Sequence, residues 1–235
     1  MINKGANMKN FQKIYPFTTE EINGYITKLD VQNKKVLTLG LSCDQALNSL
    51  LMGEDVTVFD INDQVKDFYE FKRNLILTTP REELVDKVND NKQFLYFSDI
   101  FPKSTLNRVN LYLQNDENYK KLQNILKEKN VDFIVGDIFN VTEYLDDNKI
   151  YDRVILSNVL DYIPINLNYE ETIFNLYNSI INYLSDDALI ELYYLYGSML
   201  PKGFDKVIDK FFENNIFLEK ISWNRGNAAI FVKKK

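Results

Sequence analysis

The stretch KKVLTLGLSCDQALNSLLMGEDVTVFDIN, Lys34 to Asn62, decides the fold. It begins with an aliphatic and β-branched run that ends at Gly40, the pattern of a buried strand. Ala46, Leu47, Leu50 and Leu51 then recur at helical spacing, and Gly53 stops the helix. DVTVFD is a second strand and ends on Asp60. Strand, turn, helix and strand in that order form a β-α-β unit, whose first turn commonly faces a nucleotide. Here the turn is Gly40-Leu41-Ser42-Cys43-Asp44, with a single glycine. A dinucleotide needs glycines where Ser42 and Gln45 stand, and Asp44 would repel a pyrophosphate. A ligand without phosphate suits the turn better. Gly40 lets the chain turn sharply, and Ser42 can bond a carboxylate or cap the helix.

The same alternation runs through most of the chain. DQVKDFYEFKRNLI is a helix, with Val65, Phe68, Phe71 and Leu75 three or four residues apart. NYKKLQNILKEKN is a helix, VDFIVGD and YDRVILSNV are strands, and YEETIFNLYNSIINYL is an amphipathic helix. DALIELYYLYG is a long strand, FDKVIDKFFENN a helix, and the last stretch an antiparallel pair turning near Asn224 to Gly226. The expected fold is α/β: a Rossmann-like, seven-stranded, mostly parallel sheet with an antiparallel C-terminal hairpin and helices on both faces. Residues 1–235 form one domain in this reading, without internal repeats. Residues 1–30 are an N-terminal helical cap, with Thr18 and Glu21 at capping-box spacing. Residues 80–120 break the rhythm and are expected to be an inserted substrate lid beyond the second strand.

Composition narrows the chemistry. The chain has 235 residues, 45% hydrophobic and 26% charged, with a net charge of −6, which argues against a nucleic-acid partner. No apolar run is long enough for stable membrane insertion, and the first residues lack the apolar core of a signal peptide, so a cytoplasmic location is expected. There is no histidine, which removes the commonest general base and metal ligand. One cysteine, Cys43, excludes an internal disulfide and a cysteine-based zinc site. No metal is expected.

This element order resembles the class I S-adenosylmethionine-dependent methyltransferases over nearly the whole chain. Within that superfamily, the DQALNSLLMG helix start and the FDIN after the second strand are most similar to the S-adenosylmethionine:diacylglycerol aminocarboxypropyl transferases. The superfamily's first turn usually has three glycines, and this one departs from that pattern. The resemblance implies S-adenosylmethionine as cofactor, held by Gly40, Ser42, Asp44, Asp60, Ile61, Asp137, Ile138 and Ser157. Asp60 can accept hydrogen bonds from both ribose hydroxyls, or alternatively cap the following helix. Asp137 would contact the adenine amine, or merely close a Gly-Asp turn. Asn158 and Asp161 fall where the superfamily keeps its catalytic groups, or cap the segment that Pro164 ends. Methyl transfer to a small-molecule acceptor is the first expectation. Aminocarboxypropyl transfer to an amine or a lipid hydroxyl is the second, and a non-catalytic cofactor-binding module the third.

Overall fold

The computed structural model describes residues 14–53, 55–90, 102–164, 166–197, 199–223 and 226–234. Seven strands form one sheet: β1 (Lys35–Leu39), β2 (Asp55–Asp60), β3 (Asp132–Val135), β4 (Tyr151–Ile155), β5 (Leu184–Leu195), β6 (Leu218–Ser222) and β7 (Ala228–Lys233). Their order is β3-β2-β1-β4-β5-β7-β6. The first five run parallel, and β7 enters antiparallel between β5 and β6. This is the architecture expected from the sequence.

Successive strand residues face opposite ways, and both faces are covered. Val36, Val58, Ile155 and Ala229 pack into one core with α1 (Ile22–Leu29), α2 (Asp44–Met52) and α3 (Gln64–Thr78). Their chain neighbours Leu37, Phe59, Val154 and Ile230 pack into a second core with α8 (Tyr169–Ile181) and α9 (Phe204–Glu213). The first core is the thicker. It also takes in α4 (Arg81–Asp90), α5 (Lys103–Val109), α6 (Leu111–Gln114) and α7 (Asp116–Glu128). Every residue of α2 from Asp44 to Leu51 is therefore buried, including Gln45, Asn48 and Ser49. Asn48 keeps its polarity satisfied by donating to Asn110 at 2.9 Å and accepting from the Leu111 amide at 2.6 Å.

One local expectation changes. The spacing of Thr18 and Glu21 does not make a capping box, because α1 starts later. Thr18 Oγ1 accepts from the Glu20 amide at 3.2 Å, and α1 has no side-chain cap. Residues 91–101 of the expected insertion lie outside the described residues. Its described helix α6 packs on α2 and α5 packs on α1 and α6, with Leu106, Tyr112 and Leu113 in the first core.

Candidate functional site

β1 sits between β2 and β4, so its neighbours leave in opposite directions and a crevice opens at its carboxyl end. Gly40 begins the turn there. A Cβ on Gly40 would lie 2.5 Å from Val65 Cγ1 and 2.7 Å from Asp60 Oδ2, so only glycine allows α3 and Asp60 to close on the turn. The left-handed conformations fall instead on Leu41, with φ 38°, and Cys43, with φ 62°. Asp60 stitches this corner together. Its Oδ2 accepts from the Leu41 amide at 3.0 Å and its Oδ1 from the Asn62 amide at 2.8 Å. Burial pushes its carboxyl above the usual range, against these amide bonds. Asn62, not Asp60, caps α3 by accepting from the Gln64 amide at 3.0 Å.

Asp44 is engaged by the chain itself. Its Oδ1 accepts from Lys72 Nζ at 2.5 Å and Tyr112 Oη at 2.7 Å. Its Oδ2 accepts from the Thr18 amide at 2.7 Å and Ser42 Oγ at 3.1 Å. A carboxylate has about four acceptor positions, and the chain itself fills them. Asp44 is thus a clamp between distant parts of the chain, and the Ser42 hydroxyl proton goes to it as well. Lys72 completes the clamp by donating to the carbonyls of Pro16 and Ser42, at 3.0 and 3.1 Å, beneath the Phe17 ring. All three ammonium protons are used, so the basic group beside the turn is unavailable to a phosphate.

The clamp holds the segment before α1 over the crevice. The result is a cavity of about 220 Å³, walled by Tyr15 and Phe17–Glu20, by Leu41 and Ser42, by Asn158 and Tyr162, and by Tyr196. The segment after β4 begins at Ser157, which is buried and left-handed at φ 53°. Two carboxylates hold it there. Glu191 Oε2 accepts from the Ser157 amide at 2.7 Å, and Glu20 Oε1 accepts from Ser157 Oγ. Glu20 Oε2 also accepts from Tyr25 Oη at 3.0 Å and Gln45 Nε2 at 3.1 Å, and Tyr196 Oη lies 3.5 Å from Oε1. Burial pushes the Glu20 carboxyl up despite these bonds. Burial, together with the charge of Glu20, pushes Glu191 up further, and among the described residues Glu191 Oε1 has no hydrogen-bond partner. No Lys or Arg pairs with either carboxylate among the described residues.

Of the expected catalytic pair, Asn158 lines the cavity. Asp161 does not: its carboxylate accepts from Tyr193 Oη, outside the cavity wall. Asp137 lies beside Asp60 at the next strand end, where Gly136 donates to the Asp60 carbonyl at 3.0 Å. Its own carboxylate accepts from the Phe139 amide at 3.0 Å and starts a 3-10 turn. Ile61 is exposed and Ile138 is buried in the second core. The sequence reading missed Glu20, Lys72, Glu191 and Tyr196. Glu191 alone carried a usable signal, a charged residue inside the apolar run ALIELYYL.

No protein-family model and no curated protein matches this sequence. Among solved structures, the chain is similar to the glycopeptide N-methyltransferase MtfA complexed with S-adenosylhomocysteine. The two are 11% identical over 95% of this chain and 92% of that one, with a TM-score of 0.55. It is also similar to magnesium protoporphyrin IX methyltransferase (ChlM) from Synechocystis PCC 6803, at 12% identity over 91% and 78% of the chains and a TM-score of 0.49. At such identities the likeness is one of fold. The shared architecture is the Rossmann-like one, a mostly parallel seven-stranded sheet with an antiparallel C-terminal hairpin.

Proposed function

We propose that this chain is an S-adenosylmethionine-dependent methyltransferase. The observation that carries the reading is the cavity at the carboxyl end of β1, bounded by the Gly40 turn and by the turn after β4. Ligands of open α/β sheets bind at such a switch point. The donor chemistry of the site supports this cofactor. The Asp60 carboxylate stands at the turn and Lys72 is consumed, which suits a ligand without phosphate. MtfA, whose fold this chain shares, is an N-methyltransferase that was solved with S-adenosylhomocysteine.

In this reading Asp60 would hold the ribose, its carboxylate standing at the end of β2 beside the first turn. Leu41 and Ser42 border the sulfonium end, and Asn158 faces the reacting atoms from the β4 side. When bound, the cofactor supplies a methyl group already activated by the positive sulfur. The residues of the chain then align the acceptor with it and exclude water, which can lower the barrier by several kcal/mol.

Calorimetry with S-adenosylmethionine and S-adenosylhomocysteine tests the reading, with NAD as the control that should not bind. Asp60→Ala should weaken cofactor binding by about 1.5–3 kcal/mol, the range for hydrogen bonds to a charged group. Unchanged affinity in a folded variant would confine Asp60 to joining the two turns. Chromatography of a turnover mixture should show S-adenosylhomocysteine. Methylthioadenosine in its place would mean transfer of the aminocarboxypropyl chain.

A further inference from the structure

The cavity has a composition that the methyl-transfer reading does not itself require. Among the described residues, four aromatic side chains border it, Tyr15, Phe17, Tyr162 and Tyr196, and Glu20 is the one acidic residue in its wall. Glu20 is 1% exposed, and Tyr196, at 54%, reaches from the open side of the cavity to its Oε1. Aromatic faces and a carboxylate together attract an ammonium group, and they offer little to a neutral hydroxyl or to an anion. A buried carboxylate without a cation partner lacks a counter-charge, which an incoming ammonium would supply.

We infer that the methyl acceptor is an amine, received as its ammonium among these aromatics, and that Glu20 takes its proton through the Tyr196 hydroxyl. The step balances without any further reactant. An ammonium N–H bond breaks toward Tyr196 Oη while the Tyr196 proton passes to Glu20 Oε1. The freed nitrogen lone pair forms the bond to the methyl carbon. The carbon–sulfur pair stays on sulfur, leaving a neutral thioether and an N-methylammonium product. Glu20 then returns its proton to water. The 3.5 Å separation of Tyr196 Oη and Oε1 is long for this transfer, and such contacts commonly tighten once substrate is bound.

The groups around Glu20 favour this role. Tyr25 and Gln45 hold Oε2, and Ser157 fixes Oε1, so the carboxylate is aimed before substrate arrives. The titratable groups facing it are Glu191, Tyr25, Tyr194, Tyr196 and Tyr162, all neutral or acidic. Burial holds its carboxyl above the ordinary range, closer to the pH at which an amine must lose its proton.

The inference rests on the methyl-transfer reading, and the experiment separates the two. Calorimetry first measures S-adenosylmethionine binding to the wild type, Glu20→Gln and Tyr196→Phe. Primary amines, alcohols and carboxylates of matched size are then titrated into each protein saturated with S-adenosylhomocysteine. Absence of cofactor binding in the wild type sinks the methyl-transfer reading and the inference with it. Given cofactor binding, amines should bind and the other classes should not; binding by the alcohols or carboxylates alone overturns the amine assignment. In Glu20→Gln, cofactor affinity should stay within about twofold, and kcat with the best amine should fall about 100-fold or more near neutral pH. That deficit should shrink as pH rises toward the pKa of the amine, because the free amine needs no proton acceptor. A deficit that is constant with pH, or one confined to cofactor affinity, overturns the proton-acceptor role. Tyr196→Phe, at a more exposed position, should show the same pH-dependent deficit in weaker form, and a full rate there overturns the relay.

Discussion

Asp44 and Glu20 are both buried carboxylates beside one cavity, and the chain treats them in opposite ways. Asp44 meets an ammonium, a phenol, a hydroxyl and an amide, so its charge is neutralised and its acceptor positions are filled. Glu20 meets only neutral donors and lies near a second carboxylate, Glu191, which shares Ser157 with it. The first arrangement joins four distant pieces of chain, the segment before α1, the first turn, α3 and α6. The second leaves negative charge buried without a cation. Satisfied charge makes structure here, and unsatisfied charge marks the place where a ligand can contribute.

The largest effect should come from breaking the satisfied cluster. Lys72→Met leaves Asp44 charged, buried and unpaired, and should cost about 3–5 kcal/mol in urea unfolding. Replacing both, Asp44→Leu with Lys72→Met, should recover only part of that loss: no charge is left buried, but the Thr18 amide, the Tyr112 hydroxyl and the Pro16 carbonyl lose their partners. If Lys72→Met alone costs less than about 1 kcal/mol, the clamp is not what holds the segment down.

The unsatisfied cluster should respond in the other direction. Glu191 has a folded pKa raised above its unfolded value by burial and by Glu20. Its stabilising contribution is therefore complete below the unfolded pKa and is lost as pH rises through the folded one. Glu191→Gln can still accept from the Ser157 amide and carries no charge. It should raise the melting temperature at pH 8 by a few degrees, about 2–4 °C for each kcal/mol recovered. The gain should vanish near pH 4. A loss of stability at pH 8 would mean that the Glu191 charge is compensated in a way the geometry does not reveal. The smallest effect is expected at Cys43, between the clusters. Cys43→Ala should change stability by about 1 kcal/mol and leave cofactor binding intact.

The strands were legible because each is a short apolar run bounded by turn residues, and the alternation of periods two and 3.6 along the chain limits the topology. The burial of α2 on all sides was less so. Asn48 and Ser49 look like a solvent face until α6 and α7 are laid over them. The clamp was illegible for a related reason. Asp44 finds Lys72 28 residues away and Tyr112 68 residues away, and nothing local in either partner marks it. Gly40 and Asp60 were singled out because a turn and a strand end impose their own requirements. Glu20 was hidden within TTEE, which resembles an ordinary helix start.

The position of Cys43 has a consequence for kinetics. Its thiol is buried at the start of α2, with Sγ 3.8 Å from the Val65 carbonyl, and burial raises its pKa well above the ordinary thiol range. A disulfide reagent can modify it only when α2 parts from α3, and it is the only cysteine in the chain. The rate of labelling therefore clocks the opening of this one seam, free of background from other thiols. Anything that binds the closed crevice in preference to the open one must slow that clock in proportion to its occupancy. The protein thus carries a built-in stopwatch for ligands of the crevice, usable before any substrate is identified.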